Sequence, residues 1–378
     1  MKIEQVHGIV NTVTQEVLGK TGVLEADLRN IVDLGNEIIN TDNVDAYVGK
    51  LVNHIGKVVF ADRLYAGGVP SVMMDSWEFG SILEKITAEM PVATENQSWE
   101  LEDGQVYDPN IFYQPKVSAK FFNSKVTFEI QMSFTEMQVK QSFSNAEQLN
   151  GFISMLTTTV ENAMTVKLDG LIMRTINNMT ANVIDSANDV RAVNLLELYN
   201  NEYKATLTAG EAIKDAGFIQ YASYQIALYT DRITKISTLF NEEGKDRFTS
   251  KDKLHVVLLS DFAKASNVFL QSETYNKDLV ALPNHETVPY WQGSGTGYDF
   301  ADVSRINVRI ESGAEGKVVN QTGILGVMFD REALGVTNLD RRVTTNYNPK
   351  AEFYTNFYKF DAGYFNDLGE NFVVFYVA

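Results

Sequence analysis

Apolar residues recur at three- and four-residue intervals in the first part of the chain, which predicts amphipathic helices. The first predicted helix carries the series Ile3, Val6, Ile9, Val10, Val13 and Val17, and Gly19 follows as a stop signal. Two more series predict helices, one through Leu24, Leu28, Ile31, Val32 and Ile38, the other through Val44, Tyr47, Val48, Leu51 and Ile55. A short apolar strand is predicted next, at Val58–Phe60. Such helices bury one stripe only, so they must pack on another surface.

The helical pattern is lost between Ala88 and Gln114, where Pro91, Asp103-Gly104 and Asp108-Pro109 indicate turns. Strict alternation then predicts a strand with one apolar face, formed by Val126, Phe128, Ile130, Met132 and Phe134. Together these stretches indicate a long extended excursion, which we interpret as a two-stranded loop. A loop of this length in a compact domain is usually functional or disordered.

The longest helical pattern predicts one helix over about residues 145–180, with Ser144 or Asn145 as its N-cap. Its apolar stripe consists of Phe152, Ile153, Leu156, Val160, Ala163, Met164, Leu168, Leu171, Ile172, Ile176 and Met179. At 1.5 Å per residue this helix is about 50 Å long. Such a length is typical of a structural backbone.

Short helices and strands alternate between residues 186 and 320, which predicts a mixed α/β domain. The predicted helices are Leu195–Ala205, Asp231–Phe240 and Asp261–Gln271, and the predicted strands are Val256–Leu259 and Ile306–Ile310. Further on, Ile324–Phe329 predicts a strand, and Asp330 is predicted to cap a short helix through Ala333 and Leu334. The last pattern is that of a buried strand at Phe372–Val377.

Composition narrows the classes of function. The chain has 378 residues, 44% of them hydrophobic, which is enough for a sizeable core. Its formal charge of -17 repels phosphate backbones, which argues against a dedicated nucleic-acid binder. It contains no cysteine, so disulfides and thiolate metal sites are excluded. This composition suits assembly in a reducing cytoplasm. We expect neither a signal peptide nor a membrane span.

Motifs that could carry chemistry have structural explanations. Gly19-Lys20-Thr21 resembles the end of a P-loop, but Thr14 stands where the first glycine belongs, so we interpret Gly19 as a helix C-terminal glycine. Gly293–Gly297 lacks a following helix and a lysine, which favours a solvated loop. The histidines have no metal-ligand spacing; they are His7, His54, His255 and His285.

Charged and aromatic clusters have structural interpretations too. The carboxylates at Glu100, Glu102 and Asp103, and at Glu242-Glu243, are interpreted as solvated loop charges. Arg341-Arg342 is interpreted as solvated or paired with local acids, with a contact to DNA or to a neighbouring subunit as the alternative. An aromatic series is interpreted as core, with an intersubunit seam as the alternative; it comprises Phe353, Tyr354, Phe357, Tyr358, Phe360, Tyr364 and Phe365. The sequence therefore predicts no enzyme, and no catalytic, cofactor-binding or metal-binding residue.

The order of these elements resembles the Hong Kong 97-type fold of tailed-bacteriophage major capsid proteins. Two segments are similar to the major head proteins of short-tailed phages of the phi-29 kind. One is Val44–Val59 leading into Gly80–Ile86; the other is Ile324–Asp330, followed by Asn348-Pro349-Lys350 and the aromatic run to Tyr358. The resemblance implies an α+β fold with an N-terminal helical arm, an extended β-hairpin loop, a long spine helix and a mixed α/β axial domain.

The resemblance also implies domain boundaries. The N-terminal arm would be residues 1–60 and the extended loop 88–134. The peripheral domain with the spine helix would comprise 61–87, 135–185 and 338–368, and the axial domain 186–337 and 369–378.

The implied function is structural: a virion protein that self-assembles, through hexamers and pentamers, into an icosahedral head enclosing double-stranded DNA. Assembly in the host cytoplasm is implied, with scaffolding, portal and other head proteins as partners, weak contact with packaged DNA and none with a membrane. No cofactor is expected. Two alternatives stay open at this point, an encapsulin-like nanocompartment shell and a nucleotide-dependent soluble enzyme that uses the Gly293–Gly297 loop.

Overall fold

The computed structural model describes residues 3–19, 47, 50, 72–74, 83–96, 98, 100–107, 110–138, 146–186, 188–273, 282–292, 303–310 and 316–378. Several predicted features lie outside these ranges. They are the helix through Leu24–Ile38, most of the helix through Val44–Ile55, the strand Val58–Phe60, the cap residues Ser144 and Asn145, and the Gly293–Gly297 loop.

Helices and strands alternate irregularly along the described chain, as in other α+β proteins. The helices are α1 (Ile3–Leu18), α2 (Ala146–Asp185), α3 (Leu195–Tyr203), α4 (Ala209–Ala212), α5 (Ala216–Arg232) and α6 (Ser260–Glu273). The first strands are β1 (Met73–Met74), β2 (Leu83–Ala88), β3 (Val117–Phe122), β4 (Lys125–Thr135), β5 (Ala192–Asn194), β6 (Leu254–Leu259) and β7 (Glu286–Val288). The others are β8 (Ile306–Ile310), β9 (Lys317–Gln321), β10 (Ile324–Asp330), β11 (Leu334–Asn348), β12 (Phe353–Asn366) and β13 (Phe372–Tyr376).

The first helix ends where the sequence predicts. Gly19 follows α1 with a φ of 67°, and its amide donates to the carbonyl of Gln15 over 3.1 Å. A left-handed residue at this place closes a helix at little cost only when it is glycine. The interpretation of Gly19 as a helix C-terminal glycine is therefore confirmed.

The long helix α2 forms the central element of the fold. It contains 40 residues, about 60 Å at 1.5 Å per residue, and ends five residues beyond the predicted boundary. Its predicted stripe is buried from Val160 to Met179, and burial continues through Ala181 and Val183, which explains the extra turn. The helix packs on β11 and β12 on one side and on β13 on the other. It thus joins the two main sheets.

The first main sheet, called the long sheet below, has the strand order β1-β11-β12-β4. β12 runs antiparallel to both β11 and β4, with Tyr358 opposite Val343 and Ile130. The strand predicted by alternation at Val126–Phe134 is confirmed as β4, but its interpretation as part of a two-stranded loop is wrong. Its apolar face joins that of β12, as the 5.1 Å separation of the Phe128 and Phe360 rings shows.

The second main sheet, called the central sheet, has the order β5-β13-β10-β6-β7. β10 lies antiparallel to both β6 and β13, whereas β5 and β7 pair in parallel at the two edges. Every residue of β10 is buried. Because both faces of β10 and β13 are buried, their sequences are mostly apolar and do not alternate with polar residues. The strands predicted at Val256–Leu259, Ile324–Phe329 and Phe372–Val377 are confirmed here.

Local predictions in the mixed region are only partly correct. The helices predicted at Leu195–Ala205 and Asp261–Gln271 and the strand at Ile306–Ile310 are confirmed. The helix predicted at Asp231–Phe240 is wrong, because α5 ends at Arg232 and a bridge between Ser237 and Arg247 follows.

The short helix predicted after Asp330 is wrong as well. Asp330 accepts the amide of Glu332 through its side chain over 2.8 Å, as a capping residue would. The turn then closes with the amide of Ala333 on the carbonyl of Asp330, and β11 begins directly at Leu334. The capping residue thus starts a tight turn between two strands.

Within the part of the chain that the structure describes, no helix is long and apolar enough to cross a membrane.

Candidate functional site, an extended hairpin with a charged root

The extended hairpin, residues 83–122, projects from the two main sheets. β2 and β3 pair over six positions, from Leu83 opposite Phe122 to Ala88 opposite Val117, and the Glu89 amide adds a bond to the Lys116 carbonyl. The connection runs from residue 89 to residue 116, and in its described part the predicted turn at Asp103-Gly104 is present with a Gly104 φ of 87°. The first part of the long extended excursion predicted from the sequence therefore belongs to this hairpin.

Apolar side chains cover the outside of the hairpin. More than half of the large apolar side chains that the described residues expose lie in it: Ile86, Met90, Val92, Leu101, Val106, Tyr107, Ile111, Phe112, Tyr113, Val117 and Phe121. Val106 is 90% exposed and Phe112 is 83% exposed. A contiguous exposed apolar surface of this kind marks a contact surface for another molecule.

The inner face of the hairpin carries two lysines directly opposite each other. Lys85 of β2 and Lys120 of β3 are cross-strand partners, and both side chains are mostly buried. Like charges in such a position repel and destabilise a hairpin. Counter-charges from elsewhere in the chain must therefore stabilise this pair.

Four acids supply these charges. Asp367 lies between the two lysines, with Oδ2 2.9 Å from Lys85 Nζ and Oδ1 2.6 Å from Lys120 Nζ. Lys85 also donates to Glu370 over 2.7 Å and lies 3.9 Å from Glu332, and Lys120 donates to Glu243.

Two further cations complete what we call the root cluster. Lys245 pairs with Glu243 at 2.8 Å, and Arg247 Nε lies 3.2 Å from Glu370 Oε1. The cluster thus comprises Lys85, Lys120, Lys245, Arg247, Glu243, Glu332, Asp367 and Glu370. Each anion of the cluster therefore has at least one cation beside it, and Glu332, which is half exposed, also pairs with Lys253 outside the cluster at 2.8 Å.

Burial and ion pairing act in opposite directions on these groups. Burial alone would raise the pKa of Asp367, but hydrogen bonds from Lys120 and Lys85 outweigh burial and lower it. The pKa of Glu243 is lowered in the same way, by Lys120 and Lys245 against burial. Burial would lower the pKa of Lys120, yet its two carboxylate partners raise it. The folded protein therefore favours the charged forms.

These shifts predict a pH dependence. A lowered carboxyl pKa stabilises the folded protein above the unfolded pKa, and this stabilisation is lost as pH falls through the lowered value. We expect Asp367→Asn to reduce the free energy of unfolding by about 2 kcal/mol at pH 7. The difference from the unchanged protein should begin to shrink as pH falls below about 4, the ordinary range of an aspartate, and should disappear only below the lowered pKa of Asp367. Urea unfolding at a series of pH values from 7 downwards measures this decrease.

The matched control for this prediction is Asp231→Asn. Asp231 pairs with Lys251 at 2.8 Å, but both side chains are exposed, so the loss should stay within about 1 kcal/mol at every pH. Equal pH profiles for the two variants would contradict an energetic role of the root cluster.

The acids predicted to be solvated divide into two groups. Glu100, Glu102 and Asp103 are exposed in the extended hairpin, as expected. Glu242 and Glu243 are exposed as well, but both are also paired: Glu243 belongs to the root cluster and Glu242 lies 3.4 Å from the buried Arg191. Lys120 and Arg191 are distant in sequence from these acids, so no local pattern indicates these pairs.

The arginine pair and the aromatic series can also be placed. Arg342 pairs with Asp361 at 2.9 Å and with Asp340 at 3.1 Å, so its pairing with local acids is confirmed.

Four residues of the aromatic series are buried in the subunit: Tyr354, Tyr358, Phe360 and Phe365. The other three are half-buried, and an intersubunit seam stays a prediction for them: Phe353, Phe357 and Tyr364.

Three histidines lie in described parts of the chain and make local contacts. His7 is 2.9 Å from Asn11, the His255 ring stacks on Phe329, and His285 is 2.8 Å from the Pro283 carbonyl. Burial lowers the pKa of His255. Across the described ranges, no three His, Asp or Glu side chains gather as metal ligands would.

Comparison with solved structures identifies the fold. The capsid structure of Staphylococcus phage Andhra shares 10% identity and a TM-score of 0.52, covering 84% of this chain and 86% of that chain. The structure of head fiber and inner core protein gp22 of native bacteriophage P68 shares 7% sequence identity and a TM-score of 0.51, and the match again covers 84% of this chain and 86% of that chain. At such low identity the likeness concerns the fold alone, and it confirms the predicted α+β capsid fold.

Comparison of sequences identifies the family. No curated protein sequence matches the chain. The family model described as Phi29-like phage major capsid protein matches residues 10–376, which include both main sheets, the long helix and the extended hairpin. The chain therefore belongs to the family of Phi29-like phage major capsid proteins.

Proposed function

We propose that copies of this chain assemble through hexamers and pentamers, and that the extended hairpin is a main contact between them. The coarser role follows from the family: the chain is a structural component of an icosahedral phage capsid in the virion, and it is not an enzyme. The exposed apolar surface of the extended hairpin is the observation that supports the finer proposal.

Two physical features favour the hairpin as a contact with another copy. Transfer of apolar surface from water stabilises association by about 25 cal/mol per Å². In the described residues, β2 and β3 each pair with one strand only, so each has an edge that can accept a further strand. A neighbouring copy that covers the hairpin would remove both its exposed apolar surface and its open edges.

Charge limits what the shell binds. With a formal charge of -17, the chain as a whole repels the phosphate backbone of DNA, so we propose that contact with packaged DNA is weak. We also propose scaffolding, portal and other head proteins as partners. A cysteine-free chain is compatible with assembly in the reducing host cytoplasm, which belongs to the same proposal.

The two alternatives differ in their support. An encapsulin-like shell would have the same fold, but the family match favours a phage head. A nucleotide-dependent enzyme has no support from that match. Its loop, Gly293–Gly297, lies outside the described residues.

The experiment is size-exclusion chromatography and negative-stain microscopy of the protein, expressed alone and together with the genes next to its own. We expect closed shells, or mixtures of hexamers and pentamers, in at least one condition. A monomer in every condition would contradict the proposal. Terminase and portal genes nearby would support a phage head, whereas a ferritin-like or peroxidase gene would support an encapsulin.

A further inference from the structure

The root cluster lies where the chain crosses between the two main sheets. The chain passes from the central sheet to the long sheet in the turn after β10, and it returns in the segment 367–371 between β12 and β13. The two crossings are hydrogen-bonded together, since the Asp367 amide donates to the Ala333 carbonyl over 2.7 Å and the Asp330 amide to the Asn371 carbonyl over 3.0 Å. We call these two hydrogen-bonded crossings the double crossover; together with α2 it connects the long sheet and the central sheet.

Acids of the root cluster come from both crossings. Glu332 belongs to the first, and Asp367 and Glu370 belong to the second. Asp367 is 2% exposed and Glu370 is 8% exposed, so both carboxylates are held in place by the surrounding chain. The lysines of the extended hairpin therefore bind acids that belong to the double crossover.

The backbone at the double crossover also leaves room for one lysine. A Cβ atom at Gly369 would lie 2.6 Å from Lys120 Nζ and 2.8 Å from Glu243 Oε2. Both distances are shorter than van der Waals contact allows, so this close approach depends on glycine. The Gly369 amide donates to Asp367 Oδ1 over 2.9 Å and helps to orient the carboxylate between the lysines.

Among the residues that the structure describes, the outer face of the hairpin has few contacts that would hold it in place. Ile86, Val117 and Phe121 point outward into solvent, while the inner face adds the Phe122 ring, 5.1 Å from that of Phe365. A two-stranded hairpin without such attachment is at best marginally stable in water. Its position therefore depends on a few contacts at the root.

We propose that Lys85 and Lys120 are positioning residues, which dock the extended hairpin on the double crossover and set the direction in which it leaves the subunit. Their mutual repulsion makes the docking selective, because Asp367 pairs with both lysines at once, while Glu370 adds a second carboxylate for Lys85 and Glu243 adds one for Lys120. This inference rests on the proposed contact role of the hairpin for its biological meaning, but its test uses unassembled subunits.

The first test is hydrogen exchange on the double variant Lys85→Met, Lys120→Met, which keeps the length of both side chains and removes both charges. We expect amides of the β2–β3 ladder to exchange about tenfold faster or more, with β13 unchanged. The matched control is Lys359→Met, a lysine of β12 that pairs with Glu129 at 3.1 Å on the surface of the long sheet. It should leave the hairpin unaffected.

The second test measures direction. Because the chain has no cysteine, spin labels can be placed at Ala119→Cys on the hairpin and Thr344→Cys on β11, both at exposed positions. We expect a narrow distance distribution in the labelled parent and a broad one in the double lysine variant. Unchanged exchange with an unchanged distribution would overturn the proposal, as would equal acceleration in the hairpin and in β13. If the hairpin of the parent protein shows the expected narrow distribution but its subunits form no shell, the proposed function is overturned and this inference is not.

Discussion

Replacing residues 90–115 with Asn-Gly is expected to give a folded subunit that forms no shells. The change keeps β2, β3 and the root cluster, and Asn-Gly forms the type I′ turn that suits a two-residue hairpin. It removes the most exposed apolar residues, among them Val92, Val106 and Phe112. Buried aromatic anchors contribute about 2 kcal/mol or more each to an interface, so their joint loss should abolish closure. Circular dichroism and electron microscopy measure the two effects.

A second variant separates side chains from backbone in this prediction. Val106→Ser with Phe112→Ser keeps the length of the connection and removes two side chains that are more than four-fifths exposed. We expect an unchanged urea midpoint and a higher protein concentration for assembly. Shells of normal size and yield from the Asn-Gly variant would show that the connection is not needed for closure.

The change Phe375→Ala should have the largest effect on the stability of the subunit. Phe375 is fully buried in β13, and its ring meets that of Tyr229 edge-on with centroids 5.4 Å apart. Removing a buried phenylalanine costs about 3–5 kcal/mol through lost apolar burial and the remaining cavity. That is a large part of a typical unfolding free energy. The urea midpoint should fall strongly, which fluorescence-monitored unfolding measures.

The matched control for this change is Phe121→Ala. Phe121 is 63% exposed on the outer face of the extended hairpin, so its removal should alter the unfolding free energy by less than about 0.5 kcal/mol. Phe121→Ala should impair assembly, while Phe375→Ala should impair folding. Similar midpoints for the two variants would contradict the assignment of one ring to the core and the other to a contact surface.

Long regular patterns are well predicted from the sequence. The apolar stripe of α2 and the alternation of β4 each extend over enough residues for one period to dominate. Asp231–Phe240 is different, because Ile233, Ile236 and Phe240 have helical spacing by chance. Ile233 and Phe240 are buried, but Ile236 is 54% exposed, which no single helical face would produce. α5, which ends just before, was not predicted.

Strand partners are harder to predict than strands. Alternation in β4 indicates which residues share a face, but it carries no information about the strand that lies alongside. From the sequence, β4 is therefore placed in a two-stranded loop without identifying its partner strand, and the two residues between β3 and β4 do not lead to pairing between them. The matching apolar face of β12, more than 200 residues further on, determines the actual pairing.

The root cluster was beyond prediction for a similar reason. Lys85, Glu243 and Asp367 come from three distant parts of the chain, and only the register of β2 with β3 and the double crossover bring them together. One signal was present in the sequence: lysine occupies an inward position in each of two strands. A buried position for a lysine requires an acidic partner, but the identity of that partner depends on the fold.

The place of β13 in the central sheet has a consequence for the timing of folding on the ribosome. β13 lies between β5 and β10, yet it follows both, and every other strand of that sheet, along the chain. During synthesis the sheet therefore exists as two unconnected parts until β13 emerges. A nascent chain cannot present a finished central sheet to neighbouring copies, which protects a protein made in high copy number from associating while it is still incomplete.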